Sequence, residues 1–204
     1  KAQQLYWDYE LRLRTLESEV KSILTSNGAI YAIRKELYYD ADPLFSHDSF
    51  MPPYVVSLGK KAVFEGSAVA YERSVKSSRK EFSRKVRMFG RKYKFMFDKG
   101  RKRILKKTSF TYKFMYFSHR TLRSFLPLLS AITFVSFVWL MLINIPLYLV
   151  FIVLSLLSLI TFALPKIRIL AIHYLLTMLA LIAGFYNYIT GKIRPYWEPV
   201  DDGR

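Results

Sequence analysis

The amino-acid sequence predicts an α/β front half joined to a transmembrane α-helical back half. Three observations predict it. Apolar residues make up 52% of the 204-residue chain, yet the formal net charge is +17. The two properties are segregated: residues 1–121 hold 26 Lys/Arg and 12 Asp/Glu, whereas residues 122–204 hold six and three and contain nearly all the long apolar runs. The front half also mixes runs of helical period with short β-branched runs. One soluble domain has no reason to separate charge from hydrophobicity in this way, so the reading is a basic, water-facing front and a membrane-embedded back. No cysteine is present, which excludes disulfides, cysteine zinc sites and a thiol nucleophile.

In chain order, "QLYWDYELRLRTLESEVKS" reads as a helix, because Leu5, Tyr9, Leu13 and Leu16 recur at helical spacing. Asn27-Gly28 is a turn signal, and "RKEL" after it looks helical. The β-branched residues of "KAVFEGSAVAYE" suggest short strands at 62–64 and 68–71. These pieces are too few for a complete sheet, so the front half, residues 1–98, reads as part of a domain. Asp48 stands alone ahead of "SFMPPYVVSL". It suits either an N-cap or a reactive carboxylate, and Pro52-Pro53 argues against a long helix there.

Residues 73–113 carry 17 Lys/Arg and two acids, interleaved with Phe, Tyr and Met. The later part, 99–121, reads as an amphipathic helix in the lipid headgroup region. Basic–aromatic interleaving also suits single-stranded nucleic acid, but the adjacent apolar runs favour membrane lipid as the partner and no nucleic acid. The segment 122–190 then holds two to three membrane helices, at about 122–143, 146–164 and 169–189. Pro146 suits a first helical turn. The positive-inside rule puts the basic front in the cytoplasm. The third run has basic residues at both ends, so it either spans or is re-entrant or interfacial. His173 within it is read as packed or interface-facing. Residues 191–204 form a tail.

Four segments in this order resemble the C-terminal half of a membrane-bound inverting glycosyltransferase of the cellulose and hyaluronan synthase-like family: "YWDYELRLRTLES", "SNGAIYAIRKELY", "HDSFMPPYVVSLGKKAVFEGSAVAYE" and "EFSRKVRM". The apolar runs and "GKIRPYWEPVDDGR" complete the pattern over essentially the whole chain. The resemblance implies the C-terminal part of a GT-A-type fold. It implies transfer of a sugar from a nucleotide-sugar donor to a glycan or lipid-linked acceptor, with a divalent cation (Mg or Mn) whose ligands are not in this chain. Asp48 matches the family's catalytic base, with His47 where the family has a second acid. Arg87 matches the arginine near the donor diphosphate; Arg84 and Met88 replace the family's glutamine and tryptophan, which tilts the reading toward single or short-chain transfer. Gly28, Arg34 and His47 fall on the acceptor side. Glu10 and Glu17 share a helix face and either meet the acceptor, brace Arg34 or serve structure. Trp197, with Arg204, resembles the family's tail feature and would pack near the site.

The acidic triplet Asp40–Asp42 is read as a solvated turn, not the metal motif, since "RKELYY" and not an apolar strand precedes it. The nucleotide-binding half is not in these residues, so the chain is expected to be a fragment, inactive alone and dependent on that missing half. The competing reading is a non-enzymatic, basic, membrane-anchored adaptor or assembly subunit.

Overall fold

The computed structural model describes residues 2–71, 78–143, 149, 152–153, 155 and 164–194. Helix α1, Ala2–Val20, forms where the helical spacing predicts it. Its buried face is not the leucine stripe. Tyr9 and Leu16 are exposed, while Glu10, Arg14 and Glu17 are buried. Spacings of four and three put those three charged residues on one face, and charged partners from elsewhere in the chain meet the two glutamates, as described below.

The expected strands at 62–64 and 68–71 do not form, and the mixed α/β class is overturned. Among the described residues the chain is all-α, with no strand or sheet. The reason lies in what answers the backbone at 62–64. Ser22 Oγ donates to the Ala62 carbonyl at 2.7 Å and accepts from the Ala62 amide at 2.8 Å. Ser18 Oγ accepts from the Phe64 amide at 2.7 Å, and the Ile23 amide donates to the Ala62 carbonyl at 2.9 Å. Serine hydroxyls at the end of α1 thus take the place of a partner strand. The "RKEL" segment is a single 3-10 turn, Lys35–Leu37.

Helix α2, His47–Ser57, exists despite containing Pro52 and Pro53. Ser46 is its N-cap residue, so Asp48 lies inside the first turn and is not the cap. Pro52 has no N–H, and the carbonyl four residues earlier, that of Asp48, loses its helical partner. The Ser26 amide and hydroxyl take that carbonyl instead, at 2.9 and 3.2 Å. The prolines therefore fasten the Asn27-Gly28 turn to α2.

The basic stretch folds as α3, Ser78–Phe97, α4, Lys99–Lys106, and α5, Phe110–Met115. Asp98 caps α4, its Oδ1 accepting from the amides of Gly100 at 2.6 Å and Arg101 at 3.3 Å. Ser109 caps α5. After α5 the chain winds as a π-helix at Tyr116–Thr121, then a 3-10 turn at Leu122–Phe125, before α6, Leu126–Ile143. Helix α7 spans Pro165–Ile189 with a proline in its first turn. Most of the expected helix at 146–164 lies outside the described residues.

One apolar core joins Leu24, Phe45, Phe50, Phe95, Tyr112 and Tyr116, so α2, α3 and α5 close around the chain that follows α1. A second joins Tyr93 and Met96 of α3 to Met178 and Leu181 of α7. The start of the long apolar helical run is thus sunk in protein, while α6 beyond it leaves Leu128, Ile132, Phe134, Trp139 and Leu142 exposed. Two helical runs, Phe110–Ile143 and Ile167–Ile189, are long and apolar enough to cross a membrane.

Candidate functional site

Asp48 takes its position from the first turn of α2, where the helix dipole favours a negative charge. Ser46 Oγ donates a short hydrogen bond to its Oδ1. Its other oxygen faces Gly28: a Cβ built on Gly28 would stand 3.5 Å from Asp48 Oδ2. Two sequence-predicted residues, Asp48 and Gly28, are therefore neighbours, joined by the Ser26 bonds to the Asp48 carbonyl. The absent side chain at Gly28 leaves space beside Oδ2. Tyr31 borders the same place. Burial, Tyr38 and Asp48 together hold its phenol above the ordinary tyrosine value.

His47 precedes Asp48 in the first turn of α2. Its ring stacks on Tyr38 with centroids 5.9 Å apart, and its buried Nδ1 has no hydrogen-bond partner among the described residues.

On the facing helix α3, Arg84, Arg87 and Arg91 follow each other by three and four residues, which places them on one side. Arg91 is the residue that sequence reasoning missed, although one further helical turn from Arg87 was the signal. Its guanidinium donates to the carbonyls of Pro43 (3.2 Å), Leu44 (3.4 Å) and Phe45 (2.5 Å), clamping the loop that leads into α2. Burial and the nearby Arg87 hold Arg91 below the ordinary arginine value, against the opposing attraction of Asp48. Arg91 is thus within electrostatic reach of both Asp48 and Arg87. Burial, then Arg84, lowers Arg87 likewise, and its buried Nε has no partner among the described residues. Arg84 pairs with Glu81 on its own helix at 2.9 Å.

The other sequence candidates lie apart. Arg34 is exposed and meets Glu36 at 4.0 Å. Glu10 and Glu17 do not brace it. They bind chain elsewhere: Glu17 Oε1 lies 2.6 Å from His119 Nδ1 of the π-helical segment, Glu17 Oε2 accepts from the Leu24 amide at 3.1 Å, and Glu10 pairs with Arg123 of the 3-10 turn that follows. Asp42 closes a turn by accepting from the Leu44 amide at 2.8 Å. Met88 is exposed. His173 of α7 meets Lys85 Nζ at 3.5 Å, so it is packed against α3. Trp197 and Arg204 lie outside the described residues.

The divalent cation that the resemblance implies is expected to take its ligands from outside this chain. Among the described residues no three His, Cys, Asp or Glu side chains gather to hold a metal ion. No protein-family model, curated protein or solved structure matches this chain.

Proposed function

We propose that this chain supplies the acceptor side and the membrane-proximal cations of a glycosyltransferase acting at the cytoplasmic face of a membrane, on a nucleotide-sugar donor and a glycan or lipid-linked acceptor. The single observation that carries the reading is the Asp48 carboxylate itself, held by Ser46 Oγ on one oxygen and facing the bare backbone of Gly28 with the other. In the proposed step Asp48 Oδ2 takes the proton of the acceptor hydroxyl. The hydroxyl oxygen bonds to the anomeric carbon, the bond from that carbon to the diphosphate breaks, and the nucleoside diphosphate leaves with the electron pair. Arg87, backed by Arg91, offsets the charge that builds on the leaving group. Ser46 fixes the carboxylate, and Gly28 leaves room for the incoming sugar hydroxyl.

The partner of α7 supports an interfacial placement. Contacts from Lys85 with Thr177 to Phe97 with Tyr188 run in the same direction along both helices. If α7 crossed the bilayer, α3 would take Lys85, Arg87, Arg91, Lys92 and Lys94 in with it. At about 2.5–3.5 kcal/mol for each charge at mid-bilayer, the total exceeds ~10 kcal/mol. An interfacial α7, with its free apolar face in lipid and α3 toward the headgroups, avoids that cost and keeps both ends of α7 on the side of the basic belt.

The test is Asp48→Asn in the full-length protein in isolated membranes, assayed by transfer of labelled sugar to endogenous acceptor. The expected result is loss of transfer, about a hundred-fold or more for a removed general base, with membrane association intact. Unchanged transfer would refute the reading and favour the adaptor.

A further inference from the structure

Ser49 follows Asp48 on α2, but its hydroxyl faces a second group of cations. Lys92 of α3, Arg101 of α4 and Arg120 of the π-helical segment line one small cavity together with Ser49. Among the described residues no carboxylate lines it. Glu10, the carboxylate that acts on Lys92, is already engaged by Arg123 and lies 3.8 Å from His119.

The donors in this cavity are poorly used. The buried Nε of Arg101 has no hydrogen-bond partner among the described residues, and its guanidinium is held 5.6 Å over the Tyr116 ring. Arg120 Nη2 reaches Ser49 Oγ only at 3.5 Å, the outer limit of a hydrogen bond. Three like charges brought to one cavity from three elements repel one another, and a bound anion reverses the sign of that interaction. Burial, with Arg120 and Arg123 beside it, pushes the Lys92 ammonium well below its ordinary value.

We propose that this cavity binds the phosphoryl oxygens of a phosphate monoester or diphosphate. Two guanidinium groups and an ammonium approaching from different directions match a tetrahedral oxyanion better than a planar carboxylate. The cavity, about 10 Å³, has room for about one water-sized group, so a single phosphoryl oxygen enters and the rest of the phosphate sits at its mouth. Tyr116 and Arg120 lie just ahead of the exposed apolar helix α6, which sets the cavity at the depth of lipid phosphates. A lipid headgroup and a soluble phosphate share this chemistry. The inference does not rest on the role of Asp48.

The experiment uses the chain purified in phosphate-free detergent micelles. Inorganic phosphate and pyrophosphate are titrated calorimetrically, and binding to phosphatidylcholine vesicles with and without phosphatidic acid is measured by flotation. Three variants are compared: Arg101→Gln, Lys92→Met and, as a control, Lys102→Gln on the exposed side of α4. Arg101→Gln and Lys102→Gln remove the same charge from the same helix, so general attraction to anions weakens equally in both. A built site predicts a loss of about ten-fold or more for Arg101→Gln and Lys92→Met, against less than about two-fold for Lys102→Gln. That pattern with inorganic phosphate or pyrophosphate assigns a soluble ligand; the same pattern seen only with phosphatidic acid assigns a headgroup. Equal losses in Arg101→Gln and Lys102→Gln, or no binding of any probe, overturn the proposal.

Discussion

Replacing Gly184 with alanine puts a Cβ into the crossing of α3 and α7. That carbon would stand 2.7 Å from Phe89 Cβ, 2.9 Å from the Gly90 nitrogen and 3.0 Å from the Val86 carbonyl oxygen. Two of the three are backbone atoms, so no rotamer change relieves the overlap and the helices must part. Overpacking of this kind costs up to ~3 kcal/mol, while alanine returns about 1 kcal/mol of helix propensity. The expected balance is a destabilisation of about 1–2 kcal/mol, or several degrees in melting temperature at this chain length. Gly90 faces the same crossing, but a Cβ there would lie 3.5 Å from the Gly184 carbonyl oxygen, an ordinary contact. Gly90→Ala should keep the propensity gain and raise the melting temperature by roughly 2–4 °C. Thermal unfolding of both variants in the same detergent, followed by helical circular dichroism, measures the difference. Shifts of equal sign, or a more stable Gly184→Ala, would refute the close parallel packing of α3 on α7.

Lys92→Met should raise the melting temperature near neutral pH in phosphate-free buffer, because burial and two neighbouring guanidinium groups oppose the ammonium. The folded-state pKa of Lys92 lies below its ordinary 10.5, so between the two values the unfolded chain binds more protons and wild-type stability rises with pH. The advantage of the variant should therefore shrink as pH climbs toward that ordinary value; a variant no more stable than wild type at neutral pH contradicts this. Glu17→Ala leaves the buried Leu24 amide without its acceptor and takes from His119 the nearer of its two carboxylates. A loss of about 3–5 kcal/mol is expected by denaturant unfolding, whereas Arg34→Ala, at an exposed pair, should change stability by less than ~0.5 kcal/mol.

Part of this molecule was legible in its residues and part was not. Helix α1 and the apolar helices α6 and α7 follow from period and composition, which act within a turn or two of chain. The segment 62–71 shows the limit. Its β-branched residues suggest strands, but strand formation needs a partner, and serines some forty residues earlier took the hydrogen bonds first. The buried face of α1 shows it again: apolar spacing marks Leu13 and Leu16, yet Glu10 and Glu17 are inside because His119 and Arg123 arrive from more than a hundred residues away to meet them. Asp48 and Gly28 stand out singly in the sequence, whereas the bond that joins them arises from the amide that Pro52 lacks. The sequence alone determined that charge and hydrophobicity occupy different halves of the chain. Only the tertiary structure decided that the most basic helix lies along an apolar one, and that Lys92, Arg101 and Arg120 meet, because convergence of side chains depends on helix packing and leaves no periodic trace along the chain.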